Sequence, residues 1–402
     1  MPLRNRHVLI SGASVAGPML GWWLVRHGFT PVIVERAAQP RDGGYPIDVR
    51  GAAVVIADRM GLGESLRAAA IATTAIGFVD AAGRRTATID TTAPRGGDAH
   101  RDLELPRGDL VRILSDATRN DVEYRWDDSI AAIDEDDAGV NVTFERGDRR
   151  RFDLVIGADG LHSNVRRLAF GREAALTRHL GFYVAAATVD PALGEPEQYL
   201  QHNEPGRMAG IYNYRGRATG ILVFRHAAQL PFDPRDTTAQ KALLRAQFPD
   251  AAWQTQALLA QITSAPDFYF DAVSQIRMRR WSRGRVVLVG DAAHAPALLS
   301  GQGTSLAMLG AYTLAGELLA ANGAHDVAFA RYEAHMRRPV RLGQRLVHAG
   351  AAQLVPSSRL GIAARDRIVR IVAQLVRLRR LLPPTRGHAP KLPRYDAPVT
   401  TG

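Results

Sequence analysis

The sequence predicts an α/β protein with a Rossmann-like domain built on a parallel sheet, a smaller and mostly antiparallel β-sheet domain, and C-terminal helices. Three observations support this prediction. An apolar strand, a glycine turn and a helix occupy residues 7–28, and a second apolar strand, PVIVE, ends in Glu35. Two further strand–turn segments, DLVIGADG and RVVLVGDAAH, follow much later in the chain. Between them, residues 175–274 contain alternating segments such as RMAGIYNY, which are typical of antiparallel strands.

The opening segment, HVLISGASVAGPMLGWWLVRHG, is almost uncharged and follows Arg4 and Arg6. A secretory signal and a membrane-spanning helix are therefore alternatives. The glycines argue against both, because each one weakens a continuous helix. HVLIS is typical of a buried strand, GASVAG of a tight turn, and Pro18 lies in a first helical turn, where proline is tolerated. With the strand that ends in Glu35, this order indicates a dinucleotide-binding βαβ unit.

The composition is ordinary for a globular protein and excludes several kinds of site. Hydrophobic residues make up 46% and charged residues 23% of the 402 residues, and cysteine is absent. Disulfides, thiolate metal sites, iron–sulfur clusters and cysteine nucleophiles are thereby excluded, and a cytoplasmic location is expected. The net charge of +11 raises the alternative of nucleic-acid binding. Because the positive charge is scattered arginine, with only Lys241 and Lys391 as lysines, we expect no nucleic-acid partner.

We expect five segments along the chain. The Rossmann-like domain takes residues 1–174 and 275–345, and the antiparallel β-sheet domain is inserted between them at 175–274. A helical segment follows at 346–390 and a tail at 391–402. The insert is rich in aromatic residues, which can line an apolar pocket but are also common in the core of any sheet.

The first glycine motif is GASVAG, residues 12–17. In a full GxGxxG pattern the middle glycine lets a pyrophosphate approach the backbone, and here Ser14 stands at that position. A small hydroxyl side chain can still fit there and can donate a hydrogen bond to phosphate. The alternative is a strand-to-helix turn with no ligand. Glu35 favours the ligand, because an acid at the end of the second strand can accept hydrogen bonds from ribose hydroxyls.

Two further motifs follow the first one. Taken alone, each is only a turn or the start of a helix. DLVIGADGLHSNVR, residues 153–166, is a buried strand that runs into a turn at Asp159. RVVLVGDAAH and GQGTS place Asp291 after a third strand and Gly301 and Gly303 before a helix. The carboxylate can bind cofactor hydroxyls, and the glycines let the backbone approach a ring. The positive end of the helix would point at the same place.

In this order and at these separations, the three motifs resemble those of the group A flavoprotein monooxygenases, the family of para-hydroxybenzoate hydroxylase and of tetracycline-inactivating and polyketide hydroxylases. The resemblance covers residues 5–340 and is strongest at GASVAG, LVIGADGLHSNVR and VVLVGDAAHAPALLSGQGTSLAM. It implies non-covalently bound FAD, with NADPH or NADH as a transient co-substrate. The residues that it implies for cofactor binding are Gly12, Ser14, Val15, Ala16, Gly17, Glu35, Arg36, Arg107, Ile130, Asp159, Asp291, Gly301, Gly303 and Thr304.

The resemblance also implies the chemistry. NAD(P)H reduces the flavin, O2 forms a flavin C4a-hydroperoxide, and one oxygen atom passes to an aromatic or polyketide-like small molecule such as an antibiotic. Baeyer–Villiger oxygenation, a flavin-dependent reductase or halogenase of the same superfamily, and a cofactor-binding protein without turnover are alternatives. The halogenase is disfavoured, because the sequence has no Trp-x-Trp-x-Ile-Pro stretch and no lysine near the motifs.

The substrate is expected in an apolar pocket beside the flavin ring. We expect this pocket to be lined by Tyr183, Tyr212, Tyr214, Phe224 and Met278. No residue is assigned a catalytic role with certainty, and for His294 packing and catalysis are both open. The chain beside the ring departs from many relatives, because Ala297 and Leu298 stand where prolines are common.

The region at 361–382 is predicted to be a helix with many arginines. Its apolar stripe consists of Ile368, Ile371, Val372, Leu375, Val376 and Leu378. The stripe could pack on the protein, or the helix could lie on an anionic membrane surface. We expect packing, no membrane partner, and a monomer or homodimer.

Overall fold

The computed structural model describes residues 3–40, 44–91, 102–233, 236–379 and 392–395. Its strands are β1 (His7–Ser11), β2 (Thr30–Glu35), β3 (Pro46–Val49), β4 (Ala75–Val79), β5 (Arg85–Asp90), β6 (Leu103–Pro106), β7 (Glu123–Trp126), β8 (Ile130–Asp136), β9 (Gly139–Phe144), β10 (Arg149–Phe152), β11 (Leu154–Gly157), β12 (Thr177–Val189), β13 (Gln198–Glu204), β14 (Arg207–Tyr214), β15 (Arg217–Arg225), β16 (Tyr269–Ile276), β17 (Ser282–Arg283) and β18 (Val286–Leu288). Its helices are α1 (Ala16–Arg26), α2 (Ala52–Arg59), α3 (Gly63–Ala69), α4 (Arg107–Asp116), α5 (Asn164–Phe170), α6 (Thr237–Gln247), α7 (Thr255–Ser264), α8 (Asp291–His294), α9 (Gly303–Ala320), α10 (His325–Leu354) and α11 (Arg359–Arg379).

A six-stranded sheet in the order β17–β18–β11–β1–β2–β7 forms the Rossmann-like part. The strands from β18 to β7 are parallel, and only the edge pair β17–β18 is antiparallel. Val8, Leu9 and Ile10 of β1 are fully buried, as expected for a parallel strand covered on both faces. The opening segment is therefore strand, turn and helix, as predicted. The carboxyl ends of β1, β2, β11 and β18 meet at one edge of this sheet.

A seven-stranded sheet in the order β16–β12–β15–β14–β13–β4–β5 forms the second part. Its pairs are antiparallel except β13–β4, which is parallel. Helices α6 and α7 cover one face and bury a cluster that includes Phe248 and Leu258. Because β4 and β5 come from residues 75–90, this sheet is not confined to the predicted insert at 175–274. The range 1–174 therefore contributes strands to both sheets.

Helix α9 is buried on almost every side and anchors the end of the described chain. The hydroxyl of Tyr395 donates a hydrogen bond to Glu317 at 2.7 Å, and the hydroxyl of Tyr312 donates to the carbonyl of Pro393 at 2.6 Å. Residues 392–395, which belong to the predicted tail, are thus packed against α9. The rest of that tail lies outside the described residues.

Helix α11 is present, but it packs through a different side from the predicted one. It lies on β5, where the hydroxyl of Thr86 donates to the buried carboxylate of Asp366 at 2.6 Å. Ile368, Ile371 and Val372 are 60%, 47% and 49% exposed, so this part of the apolar stripe does not pack on the protein. The side chains of Leu375, Val376 and Leu378 lie outside the described residues. The packing expectation was wrong for the three described positions, because a buried acid and its partners hold the helix instead.

None of the helices in the described parts of the chain combines the length and the apolar character needed to cross a bilayer.

Candidate active site

The turn between β1 and α1 is built so that a ligand can approach its backbone. Gly12 has φ +110°, and a Cβ atom there would lie 2.5 Å from the carbonyl oxygen of Ala158. A Cβ atom on Gly17 would lie 1.8 Å from the carbonyl oxygen of Gly12, so the first turn of α1 can sit directly on the strand only with glycine. Among the described residues, no side chain caps the start of α1, whose N-cap residue is Val15. The amides at the start of this helix form a positive helix end that suits a pyrophosphate.

Glu35 and Arg107 fix the shape of this turn. One oxygen of Glu35 accepts a hydrogen bond from the amide of Ala13 at 2.8 Å, and the other accepts from the amide of Ala37 at 3.0 Å. The guanidinium of Arg107, at the start of α4, donates to the hydroxyl of Ser14 at 2.9 Å. Ser14, which replaces the usual middle glycine, therefore ties the turn to Arg107.

Asp159 is the half-buried acid of the second motif. Its carboxylate accepts hydrogen bonds from the hydroxyl of Ser163, from the amide of Val165 at 3.0 Å and from the hydroxyl of Ser11 at 3.4 Å. Burial raises the pKa of Asp159, and these hydrogen bonds oppose the rise. The acid therefore holds the loop after β11 against the end of β1.

Asp291 is the acid of the third motif; it is half-buried and begins α8. Burial raises its pKa, while the charges of Arg107 and Arg166 lower it. No residue in the described ranges donates a hydrogen bond to its side chain. The carboxylate borders the cavity, where the hydroxyls of a sugar or ribityl chain could donate hydrogen bonds to it. Gly303, at the start of α9, lies beside it, since a Cβ atom there would be 3.7 Å from Asp291 Oδ1.

A continuous cavity of about 790 Å³ connects the three motifs. Twelve of the fourteen predicted cofactor residues border it, namely Gly12, Ser14, Val15, Ala16, Glu35, Arg36, Arg107, Asp159, Asp291, Gly301, Gly303 and Thr304. Gly17 and Ile130 do not border it. Gly17 is packed under the turn, and Ile130 is fully buried while its neighbour Ser129 reaches the cavity. The glycine turn, the helix end and the carboxylate of Asp291, which has no donor among the described residues, together fit FAD.

Comparison with known proteins agrees with this arrangement. Residues 5–345 match the family described as FAD binding domain. A flavin-dependent monooxygenase from Legionella longbeachae is 39% identical over 344 residues, which cover 85% of this chain and 88% of that protein. The chain belongs to this family of FAD-dependent monooxygenases. It is an NAD(P)H-dependent flavoprotein, and its co-substrates are a small molecule and O2.

Two further similarities extend over nearly the whole monooxygenase. An uncharacterized protein of Mycobacterium tuberculosis is 46% identical over 343 residues, which are 85% of this chain and 92% of that protein. The solved structure of the tetracycline destructase Tet(55) has 35% sequence identity and a TM-score of 0.82, and the match covers 98% of this chain and 100% of that one. The predicted fold class is thereby confirmed.

Beyond the cofactor residues, the cavity of the monooxygenase runs along the face of the seven-stranded sheet that α6 and α7 leave uncovered. Val184, Met208, Tyr212 and Ile221 border this part. Tyr212 is the one predicted substrate residue that does so. Its hydroxyl donates to Glu104 at 2.5 Å and lies 2.7 Å from the hydroxyl of Thr73.

The other four predicted substrate residues lie elsewhere. Tyr183 and Phe224 stack with ring centroids 5.1 Å apart on the opposite face of the sheet, in the cluster under α6 and α7. Tyr214 does not border the cavity, and its hydroxyl lies 3.1 Å from that of Thr219. Met278 is packed in the core of the Rossmann-like part. Tyr183 and Phe224 point away from the cavity because alternate residues of β12 and β15 face opposite sides of the sheet.

The cavity residues that sequence reasoning missed include Tyr45, His162, Tyr269 and Asp271. His162 lies inside the second motif, so its position in the sequence could have indicated that it borders the cavity. Tyr269 and Asp271 share one face of β16, but the sequence does not say which face of that strand meets the cofactor residues. Tyr45 comes just before β3, in a loop that carries no motif.

An ion-pair cluster joins the two sheets beside the cavity. The two ring nitrogens of His162 lie 2.8 Å from Glu173 and 3.0 Å from Asp271. Arg166, which is fully buried, donates to Glu173 at 3.0 Å and to the carbonyl of Ala292 in α8 at 3.0 Å. Burial alone would lower the pKa of His162, but its bonds to Asp271 and Glu173 and their charges raise it to about 10. The imidazolium therefore ties β16 to the cofactor side of the molecule.

His294 has a packing role. It is 1% exposed, does not border the cavity, and its ring lies 4.8 Å from that of Trp281. Burial lowers its pKa to about 3, so the ring is neutral at ordinary pH. Of its two open roles, the structure favours packing.

Proposed function

We propose that the monooxygenase hydroxylates a multi-ring, oxygenated aromatic compound of the polyketide type, such as a tetracycline. The observation that carries this proposal is the cavity itself. It continues from the cofactor residues along an apolar, tyrosine-bearing sheet face, which suits a broad planar molecule. The 35% identity to the tetracycline destructase Tet(55), over nearly all of both chains, supports the same class of substrate.

In this proposal the protein binds and orients the cofactor and the substrate, and the cofactor supplies the redox chemistry. The helix end at Ser14–Ala16, with Arg107, would hold the pyrophosphate of FAD, and Asp291 would hold its ribityl chain. Bound FAD supplies electron transfer from NAD(P)H and activation of O2. Val184, Met208 and the other apolar residues of the sheet face would exclude water from the reacting ring. We assign no general acid or base.

The test is substrate-dependent oxidation of NADPH or NADH by the FAD-loaded enzyme, with tetracycline and simpler phenols as probes. We expect one probe to stimulate oxidation, consume O2 and yield a product heavier by one oxygen atom that derives from ¹⁸O2. A product that gains two hydrogens would indicate a reductase, and a halogenated product would indicate a halogenase. Ring expansion, read from the NMR spectrum of the product, would indicate Baeyer–Villiger oxygenation.

We also propose a cytoplasmic protein that is a monomer or a homodimer and binds neither nucleic acid nor membrane. The absence of cysteine and the scattered arginines support this. Light scattering during gel filtration measures the mass of the particle, and a larger assembly would contradict the proposal. The division at 1–174, 175–274, 275–345, 346–390 and 391–402 also stays a proposal, apart from the two strands between 75 and 90.

A further inference from the structure

Two tyrosine hydroxyls in the monooxygenase lack a partner among the described residues. The chain has 10 tyrosines. Eight of them form hydrogen bonds within the protein: Tyr124, Tyr183, Tyr199, Tyr212, Tyr214, Tyr312, Tyr332 and Tyr395. For Tyr45 and Tyr269, no residue in the described ranges lies within hydrogen-bond distance of the hydroxyl. Both side chains are half-buried and border the cavity, so a molecule in the cavity can reach these two hydroxyls.

Tyr45 and Tyr269 lie together where the cofactor residues meet the substrate face. Their ring centroids are 5.8 Å apart, and both side chains border the cavity. The charges of Arg107, Asp291 and Asp271 all act on both hydroxyls. The first two belong to the cofactor side and the third to the substrate sheet, so the pair stands at the junction of the two.

The hydroxyls are donors under all ordinary conditions. Burial raises the pKa of Tyr45 to about 12, with Arg107 opposing the rise and Asp291 and Asp271 adding to it. Burial and the charge of Asp271 raise the pKa of Tyr269 well above its ordinary value. Asp291 and Asp271 also disfavour an anion at this position, with Arg107 alone among the three charges opposing them. The pair is therefore suited to a neutral oxygen acceptor.

The position of Tyr269 is fixed by the ion-pair cluster. Tyr269 and Asp271 lie two residues apart on β16 and so face the same side. Asp271 is held by His162, and His162 shares Glu173 with the buried Arg166. Arg166 in turn donates to the carbonyl of Ala292 in α8, the helix that begins with Asp291. The cluster thus sets the distance between Tyr269 and the cofactor side.

We propose that Tyr45 and Tyr269 are specificity-determining residues that donate hydrogen bonds to a neutral carbonyl or hydroxyl oxygen on the substrate ring nearest the cofactor. The inference rests on the proposed function. It names the substrate class more narrowly, as an uncharged hydroxylated or keto-bearing ring rather than an aromatic carboxylate. Asp271 and His162 are positioning residues in this scheme.

The test uses the variants Tyr45→Phe and Tyr269→Phe in the FAD-loaded enzyme. Tyr183→Phe and Tyr214→Phe are matched controls, because their hydroxyls bond within the protein away from the cavity. Tetracycline binding is read from the absorbance change of the oxidised flavin, and FAD binding is titrated separately on the apoproteins. We expect each cavity variant to raise the Kd for tetracycline roughly three- to tenfold, with the FAD affinity and both controls unchanged.

A matched pair of small probes tests the charge preference. We expect the wild-type enzyme to bind neutral 2-hydroxybenzamide more tightly than anionic 2-hydroxybenzoate, and the Tyr269→Phe variant to reduce the difference. Tighter binding of the anion overturns the assignment to neutral rings.

Three outcomes separate failure of the inference from failure of the function. If the wild type binds tetracycline and both cavity variants bind it equally well, the inference is overturned alone. If the variants lose FAD affinity but not tetracycline affinity, the hydroxyls serve the cofactor and the inference is again wrong. If the wild type binds neither tetracycline nor the neutral phenol, the proposed function fails and the inference falls with it.

Discussion

Asp291 is the side chain on which we expect cofactor retention to depend most. Its carboxylate borders the cavity and has no donor among the described residues, so hydroxyls of the cofactor would complete its bonding. A hydrogen bond to a charged group contributes on the order of 1.5–3 kcal/mol. Asp291→Ala should therefore weaken FAD binding by roughly 10- to 150-fold, measured by titrating the apoprotein. Equal affinity of the variant and the wild type would remove Asp291 from the site.

Glu35→Ala is expected to weaken FAD binding less than Asp291→Ala. The carboxylate of Glu35 already accepts hydrogen bonds from the amides of Ala13 and Ala37, and it lies at the adenosine end of the predicted site. The same titration ranks the two variants. A Glu35→Ala variant that retains FAD more poorly than Asp291→Ala would reverse the order. It would show that the shape of the glycine turn matters more for FAD binding than the carboxylate of Asp291.

The sequence predicted the site residues that lie in local motifs. It did not predict those that reach the cavity because of the face of a strand on which they lie. Gly12, Asp159 and Asp291 each follow a strand within a few residues, so their place at the sheet edge follows from the chain itself. Tyr183 and Tyr269 both come from strands that are buried on their two faces. Alternation of polar and apolar residues therefore cannot tell which face meets the cavity. The register pairs Tyr183 with Ala272, which puts Tyr183 on the side opposite Asp271.

At the scale of single elements, α11 shows why an apolar stripe is an unreliable guide to packing. The helical spacing of Ile368, Ile371 and Val372 predicted the inward face. The structure instead turns inward the side that carries Asp366, which pairs with Arg365 at 2.7 Å, and the guanidinium of Arg365 stacks 4.3 Å from the ring centroid of Phe78. A buried acid needs hydrogen-bond partners. The contacts that hold this side inward, Thr86 with Asp366 and Phe78 with Arg365, join residues far apart in the chain, so the sequence alone does not reveal them.

This arrangement predicts that substitutions on the two sides of α11 change the stability of the protein by different amounts. Asp366→Ala should lower the free energy of unfolding by about 1–3 kcal/mol, because it strips the partners of Thr86 and Arg365. The matched double variant Ile371→Ser and Val372→Ser should change it by no more than about 0.5 kcal/mol. Denaturant unfolding measures both. A strongly destabilised double variant would contradict the exposed placement, and wild-type binding to anionic vesicles that the double variant loses would assign this side to a membrane surface.

At the scale of the whole molecule, the sequence predicted two kinds of sheet but not how the chain is shared between them. The parallel pairing of β13 with β4 joins residues 198–202 to 75–79. No local pattern reports such a pairing, because it depends on which edge of the antiparallel sheet is left open. The Rossmann-like sheet was easier to predict, since each of its central strands ends in a recognisable turn.

The purified protein is expected to be yellow and to release its FAD intact. A chain without cysteine cannot form a thioether to the flavin. Precipitation with acid or heat should therefore leave the yellow colour in the supernatant, where chromatography identifies FAD. Colour that stays with the pelleted protein would show a covalent link through another residue.

The ion-pair cluster between the two sheets predicts how stability depends on pH. The pKa of His162 is raised to about 10 in the folded protein, against 6.5 for an ordinary histidine. Between these values the folded state binds a proton that the unfolded state has lost, so the contribution is complete below pH 6.5 and is lost as the pH rises towards 10. The groups that face His162 are Glu173 and Asp271, with Arg166 behind Glu173.

The variant His162→Gln isolates this effect, because glutamine keeps hydrogen-bonding capacity but does not titrate. The Tm of the wild type should fall more between pH 7 and pH 9.5 than the Tm of His162→Gln, so the two melting curves should converge as the pH rises. His226→Gln is the control, since a ring nitrogen of His226 lies 2.8 Å from the carbonyl oxygen of Ala228 rather than beside a carboxylate. Parallel pH profiles for wild type and His162→Gln would mean that the bridge between β16 and the cofactor side does not depend on the charge of the imidazolium. Tyr269 would then be positioned by packing of the sheet alone.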